Sequence, residues 1–430
     1  MPGQTRALLG TPIERRRMLQ VAGSTFGLWA GSASAATGTL RGIDLNQTLR
    51  DEEADSVLGR FRIDQSEAAP STDLRTFSAE PGIENWTTLP EDKRKAMPVA
   101  WNTDQATSAD RAFVPPLPSL EPFAVRPATL AAWASNNAMP VPPLVLFGIR
   151  GAKLQAESAD WTESVEITPA EPDHIHNRCV MGVWDVTAGR LIAYTGSTVP
   201  NVNWMYQQTK AEPNSCNMIP TGQYLYRSGP HGKYPGCFRL NDTVFTRRTY
   251  DRLTYRITSW GRDVSNPATN IHLGFFDQSR DPAYFSSAGC QTVRGGWSGT
   301  DWAYARSFAA FRVAAGQPRA IPSGRVALAT DNRPYVYCLI DSADLMLTAA
   351  GKGITTRRQG STGDDIPRFR QAMAEKLGAP VPPSAGKRFD GRLGQLVVQW
   401  QSQSGRPTTG ILSTEDAQAL GVPMAAGKSR

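Results

Sequence analysis

The sequence has little histidine and no long run of lysine or arginine. Beyond its first 30 residues it has no apolar segment near the roughly 20 residues that a membrane-spanning helix needs. We therefore expect no membrane span once the N-terminal segment is removed. The missing basic run, with no zinc-finger spacing, argues against a nucleic-acid-binding protein. Four histidines and five cysteines in 430 residues leave few groups for nucleophilic or acid–base chemistry, so each can be weighed individually.

What the chain does have is length, turns and a mild positive charge. At 430 residues it is too long for one ordinary domain, so two or three units are expected. Its 38 glycines and 32 prolines favour many turns and β-rich units. The net charge of +7 suits an anionic polymer as partner.

The N-terminus has the order of an export signal. Residues 14–20 contain paired arginines, a spacer and two large apolar residues, which resembles a twin-arginine signal. A modestly apolar stretch follows at 21–30, and residues 33–35 form a small-x-small cleavage site. The resemblance implies a signal peptide at 1–35 and export of the folded protein to the periplasm or another extracytoplasmic space. The alternative is a disordered basic tail.

The five cysteines fit that compartment without revealing their pairing. An odd number leaves at least one thiol unpaired unless two chains are bridged. Cys216 and Cys237 are close enough in sequence to close a loop, whereas Cys179 and Cys338 could either pair or act as small buried residues.

Three regions follow the signal, so a multi-domain fold is predicted. Residues 36–140 are rich in proline and are interpreted as a poorly defined N-terminal region or linker. Residues 141–350 predict a mainly β unit, a sandwich or barrel, and a Gly/Ser/Thr-rich joint at 355–364 leads to an all-α unit of three helices at 360–425. The predicted strands are 144–151, 180–186, 190–194, 223–227, 253–258, 270–275, 325–329 and 335–340, and the predicted helices are 302–315, 366–377, 394–404 and 414–420.

One pair of motifs carries the chemistry. Residues 271–274 read Ile-His-Leu-Gly and residues 286–293 read Ser-Ser-Ala-Gly-Cys-Gln-Thr-Val, so that Cys290 follows His272 by 18 positions. Together they resemble the signature of L,D-transpeptidases of the YkuD type, a histidine followed after a spacer by Ser/Thr-His-Gly-Cys. Two upstream segments, 185–194 and 219–224, also resemble that family, and the resemblance spans about half of the chain, 144–345.

The residue types of these motifs fit nucleophilic catalysis. A thiol is a strong nucleophile only as thiolate, and a neighbouring imidazole lowers its pKa. Cys290 is therefore predicted as the nucleophile and His272 as general base and then acid, oriented by a backbone carbonyl. Small residues before Cys290 permit a tight turn supported by Ser287, in which the backbone N–H groups of Gly289 and Cys290 would hold an oxyanion. Candidates for substrate contact are Gly274, Thr292 and Arg294.

The resemblance implies attack on an amide carbonyl of a peptidoglycan stem peptide, a thioester acyl-enzyme, and transfer to an amine or to water. It also makes carbapenem-type compounds possible inhibitors. The sequence departs from the family's pattern at three positions, where Leu273, Ala288 and Thr292 replace a small residue, a histidine, and an asparagine or arginine. These departures put donor and acceptor specificity in doubt, and hydrolysis could outrun transfer.

The other histidines offer weaker alternatives. His174 and His176, with Cys179 nearby, invite a zinc interpretation, but a third ligand at a telling spacing is missing, so neither a metal nor a cofactor is expected. His231 is a turn residue that could reach the rim of the cleft. Taken singly, His272 could be a core histidine and Cys290 a structural thiol or half of a disulfide.

The C-terminal segment shows a second resemblance. Residues 389–413 resemble the three-helix peptidoglycan-binding repeat, with Thr409 and Ser413 replacing its second Asp and final Gly. Peptidoglycan is therefore the expected partner, although a small helical tail that binds nothing would look similar. The alternatives to a transpeptidase are an L,D-carboxypeptidase or endopeptidase with the same Cys–His site, a non-catalytic wall-binding protein, and a zinc peptidase.

Overall fold

The computed structural model describes residues 121–170, 172, 177–201, 216–232, 234–249, 257–260, 266–274, 285, 287–298, 303–321, 327–381 and 386–425. The chain divides into two compact units, Met1–Gly38 and Thr39–Arg430, and every described residue belongs to the second. The predicted export signal lies outside the described residues. Within them, no helix combines the length and the apolar character needed to cross a membrane.

The described part is mostly β with some α, and its centre is a closed barrel of eight strands. The strands are β1 (Phe123–Val125), β2 (Leu144–Arg150), β3 (Ala152–Leu154), β4 (Val165–Pro169), β5 (Cys179–Asp185), β6 (Arg190–Ser197), β7 (Asn217–Met218), β8 (Gly222–His231), β9 (Tyr234–Leu240), β10 (Arg247–Thr249), β11 (Ile257–Trp260), β12 (Ile271–Leu273), β13 (Gln291–Val293), β14 (Gly296–Ser298), β15 (Ala303–Ala305) and β16 (Pro334–Asp341). The helices are α1 (Pro127–Asn136), α2 (Arg306–Ala314), α3 (Ser342–Ala349), α4 (Ile366–Leu377), α5 (Gly391–Gln403) and α6 (Thr414–Leu420).

The barrel runs in the order β12-β13-β6-β5-β2-β16-β8-β9 and closes between β9 and β12. Two of its pairings, β12 with β13 and β16 with β2, are parallel, and the others are antiparallel. This result confirms the prediction of a mainly β, barrel-like unit. The smaller sheets are β1-β4-β3, β11-β10-β7 and β14-β15.

Alternating side chains explain why the central strands read as nearly continuous apolar runs. On β16, Tyr335, Tyr337 and Leu339 belong to the core cluster inside the barrel, to which all eight strands contribute. Their neighbours Val336, Cys338 and Ile340 belong to a second cluster outside it. Because successive side chains of a strand point to opposite faces, both faces of β16 are buried. Helices α1 and α3 and strands β1, β3 and β4 complete the outer cluster.

The described elements include two that precede the boundary expected at residue 141. Strand β1 and helix α1 precede it, and Trp133 of α1 is buried in the outer cluster. The indole Nε1–H of Trp133 donates to Asp344 of α3 at 2.8 Å. One buried aromatic thus fixes a segment whose prolines suggested a linker.

The central part of the expected joint at 355–364, residues 356–361, is buried as well. Arg358 is fully buried, ion-paired with Asp344 at 2.9 Å, and lies over the ring of Trp133. Arg357 pairs with Asp365 at 2.8 Å in the same way. The segment therefore joins the barrel to the C-terminal helices through internal ion pairs. Helices α4, α5 and α6 share a core cluster of their own.

All five cysteines are described; none of them forms a disulfide, and all are buried. Cys179 approaches the Thr198 hydroxyl at 3.1 Å, and Gln223 donates to the Cys338 sulfur at 3.7 Å. Of the two alternatives for Cys179 and Cys338, the structure has them as small buried residues and not as a disulfide.

We expect Arg358→Ala to destabilise the fold by about 3–5 kcal/mol, because it leaves Asp344 as an uncompensated buried charge. The matched control is Lys387→Ala, which breaks an exposed ion pair with Asp364 and should change stability by less than about 1 kcal/mol. Urea unfolding monitored by tryptophan fluorescence measures both. Equal losses for the two variants would contradict the bracing role of Arg358.

Candidate active site

Three strands bring the candidate catalytic residues together. His272 lies on β12 opposite Thr292 of β13, and Cys290 immediately precedes β13. His231 is the last residue of β8. One ring nitrogen of each histidine and the Cys290 Sγ lie within 4.8 Å of one another, and all three side chains are buried. The nucleophile and base predicted from the sequence are thus neighbours, with a second imidazole beside them.

The tautomer of His272 follows from its hydrogen bond. Its Nδ1 lies 2.5 Å from the carbonyl oxygen of Leu273, and a carbonyl can only accept. Nδ1 therefore carries the proton and Nε2 carries the lone pair in the neutral ring. A backbone carbonyl is the orienting partner that the sequence led us to expect.

The charge state of His272 also suits a base. Burial, and then the neighbouring His231, lower its pKa well below 6.5, although the bond to the Leu273 carbonyl acts in the opposite direction. At neutral pH the imidazole is uncharged, so its lone pair is available to accept a proton.

The second imidazole, His231, is predicted from the sequence to be a turn residue that could reach the rim of the cleft, whereas in the structure it ends strand β8. Its ring stacks on that of His272, with centroids 4.5 Å apart and planes 4° from parallel. Its Nδ1 lies 3.0 Å from Nδ2 of Asn270, which is itself buried. No local signal marks either residue, because 39 positions separate them in the chain.

The turn before Cys290 is held by its own side chains. The Ser287 hydroxyl donates to the carbonyl of Cys290 at 2.8 Å and accepts the N–H of Gly289 at 3.0 Å. Gly289 has φ 139°, and a Cβ there would lie 2.2 Å from the carbonyl oxygen of Asn217. Only glycine fits this position. Because the Gly289 N–H is engaged by Ser287, its predicted oxyanion role stays a prediction that requires this bond to be exchanged.

Neighbouring segments fix the turn from both sides. The backbone N–H groups of Asn201 and Asn217 donate to the carbonyls of Ser287 and Ala288 at 2.7 and 3.0 Å. The Cys290 thiol points at the carbonyl of Ala268 at 3.6 Å. Ala268 itself has φ 55°, a left-handed conformation that is uncommon for alanine and that clusters at functional sites.

The three residues predicted to contact substrate differ in their placement. The N–H of Gly274 is used in the sheet, where it donates to the carbonyl of Val293 at 2.8 Å. Thr292 is fully buried. Arg294 lines a cavity of about 360 Å³. Arg294 thus borders space that a ligand could enter.

That cavity is polar and bears both signs of charge. Its lining residues are Glu157, Ser158, Tyr194, Arg294, Ser307 and Ala310. The Glu157 carboxylate accepts from the backbone of Thr195 at 3.0 Å and from the hydroxyl of Ser307 at 2.7 Å, so it is held in place. The hydroxyl of Tyr194 is buried and has no hydrogen-bond partner among the described residues.

The Cys–His–His trio also has the ligand types of a zinc site. The hydrogen bonds leave a lone pair on Nε2 of His272, but Nδ1 of His231 faces the amide nitrogen of Asn270. With Nδ1 of His231 accepting that amide N–H, the proton of the neutral ring is on Nε2, so this ring offers no lone pair to a metal. The arrangement therefore fits hydrogen bonding better than chelation. His174 and His176 lie outside the described residues.

A buried thiol beside a neutral imidazole that carries its lone pair on Nε2 has the chemistry of a cysteine nucleophile and its base. No protein-family model matches the chain, and neither a curated protein nor a solved structure is similar to it at a significant level.

The lowered pKa of His272 predicts a pH-dependent stability. The unfolded chain binds a proton near pH 6.5 that the folded chain does not bind until much lower pH, so stability falls as pH drops below 6.5. The slope from this one group is about 1.4 kcal/mol per pH unit. We expect His272→Gln to lose this slope between pH 6.5 and 5, measured by urea unfolding, with no such change between pH 7 and 8. Identical slopes in both proteins would refute the assignment.

Proposed function

We propose that the protein is a cysteine acyltransferase that acts on peptidoglycan stem peptides, as an L,D-transpeptidase does. The observation that carries the proposal is the convergence of Cys290 with a neutral His272 whose lone pair is on Nε2. Each residue could be structural if taken alone. Together, in a buried site, they have the components that thiol activation needs.

The chemistry follows from these groups. His272 Nε2 takes the thiol proton, and the Cys290 sulfur adds to the carbonyl carbon of an amide. The tetrahedral intermediate collapses to a thioester as the C–N bond breaks, and the His272 imidazolium returns the proton to the departing amine. An acceptor amine then attacks the thioester, and its extra proton passes to His272 as the C–S bond breaks. The thiol is regenerated and no redox partner is needed.

Peptidoglycan as the substrate is supported by features outside the Cys–His pair. The motif resemblance, the export signal predicted at 1–35 and the net charge of +7 all agree with an anionic wall polymer. Arg294 follows Cys290 by four residues, a distance of roughly 13 Å along an extended strand. A short peptide bound at Cys290 would reach the cavity, where Arg294 and Glu157 can pair with its carboxylate and amino groups.

The C-terminal helices resemble a peptidoglycan-binding repeat, and the structure assigns folding roles to the residues of that pattern. Asp390 caps α5 by accepting the N–H of Leu393 at 3.0 Å, and Trp400 is buried in the helical core. Gln401 accepts from the backbone of Thr409 at 2.9 Å and of Gly410 at 3.0 Å. If this unit binds the wall, it does so through residues outside the pattern.

The deciding experiment is mass spectrometry of peptidoglycan fragments incubated with the purified protein. We expect cross-linked or exchanged peptides, lost at least 1000-fold in Cys290→Ala and retained within a few-fold in Cys338→Ala, which removes another buried free thiol. Cys290-dependent shortening without exchange would make the protein a hydrolase. If the wild-type protein and both variants leave the fragments unchanged, the proposal of an enzyme fails and a non-catalytic wall-binding protein takes its place. A carbapenem should add once, at Cys290, in the same preparations.

The cavity predicts a separable effect on substrate binding. Arg294→Gln should raise KM for stem peptides several-fold with little change in kcat, because it removes a charge contact remote from the reacting atoms. Arg190→Gln is the control, since its side chain is half-exposed and pairs with Asp185. Steady-state kinetics with a thioester or peptide donor measures both. Equal KM values for the two variants would show that the cavity is not part of the substrate-binding site.

A further inference from the structure

A buried thiolate needs hydrogen-bond donors, and two donors of the Cys290 turn, the Ser287 hydroxyl and the Gly289 N–H, are already engaged. Cys290 is 5% exposed, so its charged form gains little from water. The Ser287 hydroxyl donates to the carbonyl of Cys290, and the Gly289 N–H donates to Ser287. A neutral donor beside the sulfur would stabilise the thiolate that His272 creates.

The hydrogen bonds around Asn270 show which nitrogen of His231 carries a proton. The backbone N–H of Leu240 lies 3.1 Å from Oδ1 of Asn270 and must donate to it. This contact fixes the amide orientation, so Nδ2 faces His231 and donates to Nδ1 at 3.0 Å. Nδ1 is then an acceptor, and the proton of the neutral ring is on Nε2.

The two stacked imidazoles therefore have opposite tautomers. His272 has its proton on Nδ1 and its lone pair on Nε2, whereas His231 has its proton on Nε2. A ring nitrogen of His231 lies within 4.8 Å of the Cys290 Sγ, and the register of β8 and β9 shifts between Gly229 and His231. Such irregularities re-aim side chains and are over-represented beside active sites.

We propose that His231 is a further catalytic residue, which donates its Nε2–H to the Cys290 sulfur in the thiolate form, and that Asn270 is the positioning residue that fixes this tautomer. The inference rests on the proposed nucleophilic role of Cys290 but not on the identity of the substrate. No proton is transferred from His231, since the step is a hydrogen bond that strengthens as the S–H proton moves to His272.

Nitrogen-15 NMR of the full chain tests the tautomers directly. We expect the His231 ring to be protonated at Nε2 and the His272 ring at Nδ1. In Asn270→Ala the His231 signal should move toward a mixture of tautomers, while that of His272 stays unchanged. A His231 ring protonated at Nδ1 in the wild-type protein would overturn the proposal.

Alkylation of Cys290 by iodoacetamide, located by mass spectrometry, tests the donor role. His231→Phe should slow the reaction at pH 7 at least tenfold and move the midpoint of its pH–rate curve to higher pH, with the high-pH plateau retained. His231→Gln, which keeps an N–H donor, should stay within about threefold of wild type. Unchanged rates and midpoint in His231→Phe would refute the role, and a lowered plateau alone would show that His231 only controls access.

Two further outcomes separate this inference from its alternatives. Stoichiometric zinc in the purified protein, with faster alkylation after its removal, would make the trio a metal site and overturn the donor role. If the alkylation results hold but no peptidoglycan product forms, His231 keeps its role and the proposed substrate fails. If peptidoglycan products form but Cys290 of His231→Phe is alkylated at the wild-type rate, the proposed substrate holds and the role of His231 fails.

Discussion

The parallel pairing of β12 with β13 is the constraint on which the site depends. These two short strands complete the barrel between β9 and β6, and their register sets His272 opposite Thr292. Residues that are 18 positions apart thereby become neighbours, and the turn before β13 directs Cys290 toward the same space. A shift of one residue in β12 would turn His272 into the barrel core, and a shift in β13 would displace Cys290, so either would separate the two side chains. Closing the barrel and assembling the site are therefore one structural event.

Burial affects the acidity of the cysteine thiols. Desolvation raises the pKa of Cys179 and of Cys216, and it raises that of Cys338 to about 12, so these thiols stay protonated and inert. Cys290 is equally buried, but among the described residues it lies within reach of two imidazoles. A difference among these four thiols can thus come from the immediate surroundings of one of them, and no difference in exposure is needed.

The elements that the sequence predicted correctly are those that short-range patterns specify. Helices α4 and α6 have the predicted bounds, and β2 ends one residue before its predicted end, because apolar periodicity and caps specify them. The strand predicted at 325–329 is wrong for the residues that the structure describes, because 327–329 contain a bend and a turn. The proximity of His272 to Cys290 came from a motif. The His231–Asn270 bond did not, because only tertiary structure joins β8 to β12.

Long-range burial also explains why the expected joint is part of the core, and this changes how the C-terminal helices relate to the site. Gly222 begins β8 against the carbonyl of Gln359, where a Cβ would lie at 2.8 Å, and Arg388 pairs with the buried Asp242 after β9. The strand that starts at this contact ends at His231. These contacts brace the hairpin that carries the second imidazole from the side of the C-terminal helices. The position where the motif has a histidine is Ala288 here, and the imidazole beside Cys290 comes instead from this braced strand.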